Sequence, residues 1–226
     1  MLQAKKVLVA ASGGLDSTVL LAEAKNVGMH VEAVHFNYGQ KHQEMEYASL
    51  CAICSYLNIQ MHYFVLPFSA WGFKSALLQN DAREIPEGHY EAESMKSTVV
   101  PFRNGIMLSI LAGLAESMEM DSIGIAAHAG DHAIYPDCRS SFLRTIASAI
   151  QQGTERGINI YSPFMLLPKC AIVALGAVLG APMHLSYSCY KGGVLHCGLC
   201  GTCTERQEAF DLVDVEDKTV YEEIVL

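Results

Sequence analysis

The chain has 226 residues, 51% of them hydrophobic and 17% charged, with a net charge of −9 at pH 7. That composition excludes a disordered chain, and the length allows one domain with an appendage around a substantial core. The acidic balance argues against a nucleic-acid partner, which needs a basic face, and no apolar run reaches a membrane span; the expectation is a cytoplasmic protein acting on small molecules.

The first residues lead into a strand rather than a signal-peptide core. Val7–Ala11 predicts strand one, and Ser12-Gly13-Gly14-Leu15-Asp16-Ser17 then opens a helix over Leu15–Val27. Two adjacent glycines let the backbone approach a phosphate with no Cβ in the way. The unpaired N–H groups of the helix start face the anion, helped by the helix dipole. The Asp16 carboxylate suits Mg²⁺, and Ser12 and Ser17 offer hydroxyls to phosphate oxygens. No Gly-Lys-Ser/Thr follows, so this is not the Walker pattern. The segment resembles the pyrophosphate loop of the PP-loop ATPases, which form adenylates and release pyrophosphate. That resemblance assigns Ala11, Ser12, Gly13, Gly14, Leu15, Asp16, Ser17 and Thr18 to Mg²⁺–ATP.

Val31–Phe36 predicts strand two, and a helix follows over 41–57, with Cys51 and Cys54 as buried thiols on one face. Met61–Leu66 predicts strand three. Residues 67–100, with Trp71, Pro86 and Gly88, show no strong period; such an excursion reads as a lid or binding segment. A buried helix over 104–118, strand four over 122–127, a loop over 128–139 and a helix over 140–152 come next. Strand five over 158–161 and a helix over 169–179 complete the pattern. Repeated βα units imply a doubly wound, mostly parallel α/β sheet with ligands at the carboxyl edge of its strands. Residues 1–185 form the expected nucleotide-binding domain and 186–226 a C-terminal appendage. On that frame Tyr38, Gln40, Arg103, Asn104, the 128–139 loop and Lys169 all fall at the edge that carries the SGGLDS loop. Lys169 opens a helix, where the dipole disfavours a cation; a neighbouring anion would account for it.

Half of the eight cysteines cluster as Cys189, Cys197, Cys200 and Cys203, spaced C-x7-C-x2-C-x2-C among Gly192, Gly193, Gly198 and Gly201. Four thiolates with no vacancy describe a structural tetrahedral Zn²⁺ site, with an iron–sulfur cluster as the rival. His196 is expected beside the site rather than on the metal.

The segments SGGLDS, FNYGQKH, VPFRN, GDHAIYPDCR and the four-cysteine ending, from Val7 to Ala209, together resemble the 7-cyano-7-deazaguanine synthases, the QueC family of PP-loop ATPases. The resemblance implies ATP-dependent conversion of 7-carboxy-7-deazaguanine and ammonia to the nitrile, with release of AMP and diphosphate. It also implies free ammonia as donor and a homodimer. Carried onto this chain, it gives Lys169, Arg103, Asp131 and Asp137 catalytic roles. Tyr38, Gln40, Asn104, Tyr135, Asp137 and Arg139 fall to the substrate. Either Asp131 or Asp137 suits the guanine-like edge, and His35, His128 and His132 are candidate bases. Cys138 is expected to line the pocket rather than attack. The chain departs from the family at Phe102-Arg103-Asn104, where relatives carry Gly-Arg-Asn, and at Ala129-Gly130-Asp131, where they carry Glu-Thr-Asp. Two other functions share the loop: a 7-deazaguanine enzyme that stops at the amide or uses another acceptor, and a tRNA-modifying enzyme.

Overall fold

The computed structural model describes residues 5–90 and 93–223. Its strands are β1 (Lys6–Ala10), β2 (His30–Asn37), β3 (Gln60–Val65), β4 (Ser122–Gly124) and β5 (Asn159–Tyr161). All are parallel, in the order β3-β2-β1-β4-β5. The helices are α1 (Leu15–Asn26), α2 (Gln43–Leu57), α3 (Arg103–Ser117), α4 (Ser140–Gly153), α5 (Lys169–Leu179) and α6 (Gly201–Asp211). No helix among the described residues is long and apolar enough to cross a membrane.

Alternation along β1 explains why its sequence reads as an unbroken apolar run. Leu8 packs with Val34, Leu108 and Leu111 on the face covered by α3 and α4. Val7 and Val9 pack with Val19, Ile53 and Ile172 on the face covered by α1, α2 and α5. On α2 the helical period buries Leu50, Ile53 and Cys54 but leaves Cys51 half-buried. The chain winds outward from β1 to β3, then returns to place β4 on the other side of β1. A crevice therefore opens at the carboxyl ends of β1 and β4, the switch point of a doubly wound sheet. β4 is shorter than its apolar sequence suggests. Its ladder ends at Gly124, and Ile125 keeps one bond, to the Tyr161 carbonyl at 3.1 Å, before the chain turns into the crevice.

The 67–100 excursion buries Phe68, Leu77, Leu78 and Met95 in the core. Gly88 N–H donates to the Leu199 carbonyl at 2.9 Å, pinning it to the cysteine-rich segment. That segment is anchored by the fully buried Arg206. Its guanidinium reaches both Asp217 oxygens (3.0 and 3.1 Å), Ser186 Oγ (2.8 Å), Ser188 Oγ (3.2 Å) and the Met183 carbonyl (3.2 Å).

Candidate active site

The loop after β1 is held in one shape by glycine and hydroxyl chemistry. Gly13 sits at φ +88°, and a Cβ there would lie 2.5 Å from the Glu46 carbonyl, so no larger residue fits. Gly14 N–H donates to Ser12 Oγ at 3.1 Å, while the Ser17 and Thr18 hydroxyls donate back to the Gly14 carbonyl. The start of α1 has no side-chain cap, which leaves its first N–H groups for a ligand. Ala11, Ser12, Gly14, Leu15, Asp16 and Ser17 line the crevice; Gly13 and Thr18 shape the loop from behind.

Lys169, the first residue of α5, closes the site from the opposite side. Its Nζ lies 2.7 Å from Asp16 Oδ2 and 3.1 Å from Glu205 Oε2, the second contact an ion pair without hydrogen-bond geometry. These are the anions that a lysine at a helix start requires. Burial alone would raise the Asp16 carboxyl, but Lys169 and His128 hold it below its ordinary value. Burial alone would lower the Lys169 ammonium, and Asp16 and Glu205 hold it above its own. Burial pushes the Glu205 carboxyl up, with Lys169 offsetting only part. Asp16 Oδ1 is buried with no partner. His128 is 1% exposed; its Nδ1 accepts from Gly130 N–H, and its Nε2 lies 3.6–3.9 Å from Asp131, Asp16 and Glu205.

Away from the phosphate loop, the crevice becomes aromatic. Tyr38, Tyr90, Tyr135, Tyr187 and Tyr190 line it together with Arg103, Asn104, Asp131 and Cys138. Arg103 Nη1 donates to Tyr38 OH at 2.9 Å, and its guanidinium lies over that ring. Burial pushes the Tyr38 phenol up to about 12, so it stays neutral. Tyr90 OH donates to Asp131 Oδ1 at 3.0 Å, and Tyr135 OH meets Thr98 Oγ1 at 2.8 Å. Burial, with Asp131 and Asp137 nearby, pushes the Cys138 thiol well above its ordinary value, and Asn104 Nδ2 donates to its sulfur. A protonated, buried thiol is a wall rather than a nucleophile.

Other expected residues stand behind this lining. Asp137 Oδ2 accepts the Asn104 backbone N–H at 2.8 Å, so this carboxylate caps α3 from 33 residues away. Gln40 is fully buried, accepting from Tyr38 N–H and donating to Glu46 Oε2 at 2.8 Å. Arg139 Nε donates to the His132 carbonyl. His35 lies within β2, packed against the Tyr47 and Tyr63 rings. Phe102 adopts φ +54°, the left-handed region that favours glycine, and its ring occupies the space a side chain at Gly105 would need. That backbone explains the glycine of the family pattern. Glu205, Tyr90, Tyr187 and Tyr190 escaped the sequence reading, because only the fold brings these segments together.

Cys189, Cys197, Cys200 and Cys203 are all buried, with sulfurs within 4.8 Å of one another. Four ligands at about 2.3 Å from one ion would stand about 3.8 Å apart, so the set fits a tetrahedral metal. Cys200 and Leu199 N–H groups point at Cys197 Sγ (3.3 and 3.4 Å), as a thiolate needs. His196 stands outside the cluster: burial and Arg206 push it down to about 4, and its Nε2 accepts from Ser188 N–H at 3.0 Å. The cluster also forms one wall of the crevice, through Tyr187, Ser188, Tyr190 and Thr202.

Residues 6–214 match the family model described as queuosine biosynthesis protein QueC. A 7-cyano-7-deazaguanine synthase of Porphyromonas gingivalis is 47% identical over 224 residues, covering 98% of this chain and 100% of that one. The same-named protein of Desulfotalea psychrophila is 44% identical over 214 residues, 95% of this chain and 97% of its own. Among solved structures, NMN synthetase from Francisella tularensis aligns with a TM-score of 0.51 at 16% identity, over 96% of this chain and 81% of its own. The U34-tRNA thiolase NcsA from Methanococcus maripaludis, solved with its [4Fe-4S] cluster, also scores 0.51 at 16% identity, over 94% and 67%. At that identity the structural likeness speaks to the fold alone.

Proposed function

We propose that this chain, which belongs to the QueC family of queuosine biosynthesis proteins, makes 7-cyano-7-deazaguanine from 7-carboxy-7-deazaguanine, ammonia and ATP. One observation carries the reading. A single crevice joins a glycine phosphate loop and a Lys169–Asp16 pair at one end to an aromatic, carboxylate-bearing wall at the other. A nucleotide and a flat heterocycle meet in such a space with the carboxylate near the α-phosphate.

The substrate carboxylate attacks the α-phosphorus of ATP, diphosphate leaves, and ammonia displaces AMP from the acyl adenylate to give the amide. A second ATP activates the amide oxygen in the same way, and loss of AMP and protons leaves the nitrile. Backbone N–H groups at the start of α1 cradle the phosphates, while Ser12 and Ser17 border them. Asp16, through its unpartnered Oδ1, is the residue that would hold Mg²⁺ on the nucleotide, where the ion neutralises phosphate charge. Lys169 and Arg103 face the negative charge of the leaving groups. Tyr38, Tyr90 and Tyr135 bound the deazapurine, and Asp131, on the lining, reads its guanine-like edge. Asp137, through Asn104, sets the start of α3 beneath it. His128, buried beside Asp16 and Asp131, is the base placed to take a proton from ammonium. The four cysteines would hold zinc, which would fix the wall that carries Tyr187 and Tyr190.

Mass spectrometry of products from 7-carboxy-7-deazaguanine, ATP and ammonium tests the proposal. A nitrile is expected; an amide as final product overturns it.

A further inference from the structure

Glu205 has no part in the chemistry described above, yet its carboxylate contacts Lys169 at 3.1 Å and faces His128. It arrives from an unexpected quarter. Glu205 lies on α6, two residues beyond Cys203, on a helix that opens at the residue after Cys200. Two metal ligands therefore fix the position of its backbone. The loop after β4 leaves it room: a Cβ on Gly130 would stand 3.0 Å from Glu205 Oε1.

We propose that Glu205 is a positioning residue for Lys169, holding the ammonium at the phosphate loop and tying that hold to the four-cysteine centre. This rests on the reading that Lys169 serves ATP. In the ligand-free site two carboxylates share the lysine. Were Asp16 to hold the cation on the nucleotide, Glu205 would be the carboxylate left against Nζ. Without it, a cation at the first position of α5 meets the positive end of the helix dipole with no fixed partner, and its flexible stem disperses it. An ion pair that merely stabilised the fold would alter melting and leave nucleotide binding alone. A positioning role predicts weaker nucleotide binding as well, whatever the melting does.

The test uses the full-length, metal-loaded protein and four variants: Glu205→Gln, Glu205→Asp, Lys169→Met and the double Glu205→Gln/Lys169→Met. Calorimetry with Mg²⁺ and a non-hydrolysable ATP analogue is read beside melting temperature and metal content. Glu205→Gln should weaken analogue binding about tenfold with metal content unchanged, and Glu205→Asp should recover part of the loss. The double variant should bind no more weakly than Lys169→Met alone, because the two changes act through one group. Wild-type binding by Glu205→Gln overturns the proposal, as do losses that multiply in the double variant. If Lys169→Met itself binds like wild type, the reading of Lys169 fails and this proposal falls with it. Should Glu205→Gln fail to fold, analogue binding by Glu205→Asp is read in its place: a loss against wild type that vanishes in the Lys169→Met background is expected, and wild-type binding overturns the proposal. The assay needs no deazaguanine, so its outcome is independent of whether the enzyme forms a nitrile.

Discussion

Replacing Lys169 by Met removes the ammonium that Asp16 and Glu205 share. Their side chains are 21% and 12% exposed and that of Lys169 13%, so all three groups are largely withdrawn from water. Breaking a fully buried pair costs about 3–5 kcal/mol; access of water to the crevice reduces this to roughly 2 kcal/mol. For a chain of this size that is a fall of about 4–8 °C in melting temperature. The cost depends on pH, with a sign the structure dictates. Lys169 holds the folded Asp16 carboxyl below its ordinary value, so the stability it contributes is present above about pH 4, the unfolded value, and lost as pH falls below it. Thermal scans should show the variant furthest from wild type at pH 7 and converging on it as pH falls below about 4. Adding Asp16→Asn should restore part of the loss at pH 7 by removing one stranded charge. A Lys169→Met variant that melts with wild type at pH 7 rules out this coupling. So does a double variant no more stable than the single one.

Asp131→Asn should weaken 7-carboxy-7-deazaguanine binding by about 10- to 100-fold in calorimetry while sparing ATP, on the order of 1.5–3 kcal/mol for a charged hydrogen bond. Asp137→Asn should act less specifically, through the start of α3, and a larger effect there would exchange the two roles. Replacing Cys203 by Ser should abolish one zinc per chain in elemental analysis and weaken ATP and deazaguanine binding together, because the cluster forms the crevice wall. Iron in the purified protein would contradict zinc. Burial raises the Asp217 carboxyl, but Arg206 holds it below its ordinary value, so its contribution is present above about pH 4 and lost on acidification. Asp217→Asn should cost about 3 kcal/mol at pH 7 and flatten the acid limb of the stability curve.

Local rules made much of this molecule legible. The strand–turn–helix around SGGLDS, the alternation of strands and helices and the gathering of the four cysteines follow from spacings of a few residues, and the fold shows all three. The odd lysine at the start of α5 was a local signal with a distant answer, an anion brought to it by the fold. What was not legible depends on long-range placement. Asp137 and Asp131 are equivalent on paper, six residues apart in one loop. Only the turn at Pro136–Cys138 sends the first to the N-terminus of α3 and leaves the second on the crevice. Glu205 sits in a polar helix with no apolar period, where an acid ordinarily marks a solvated face. Tyr90 lay within an excursion of no clear pattern, and its burial comes from contacts with the cysteine segment that no spacing announces.

The proposed chemistry turns on one site that uses ATP twice to carry a carboxylate through an amide to a nitrile. Quantitative mass spectrometry over a single reaction course can follow 7-carboxy-7-deazaguanine, amide, nitrile and nucleotides together. Two activations in one crevice should give a transient amide, a final nitrile, and two AMP with two diphosphate per nitrile. ADP as the stoichiometric nucleotide product, or an amide that accumulates and is never consumed, is incompatible with that course.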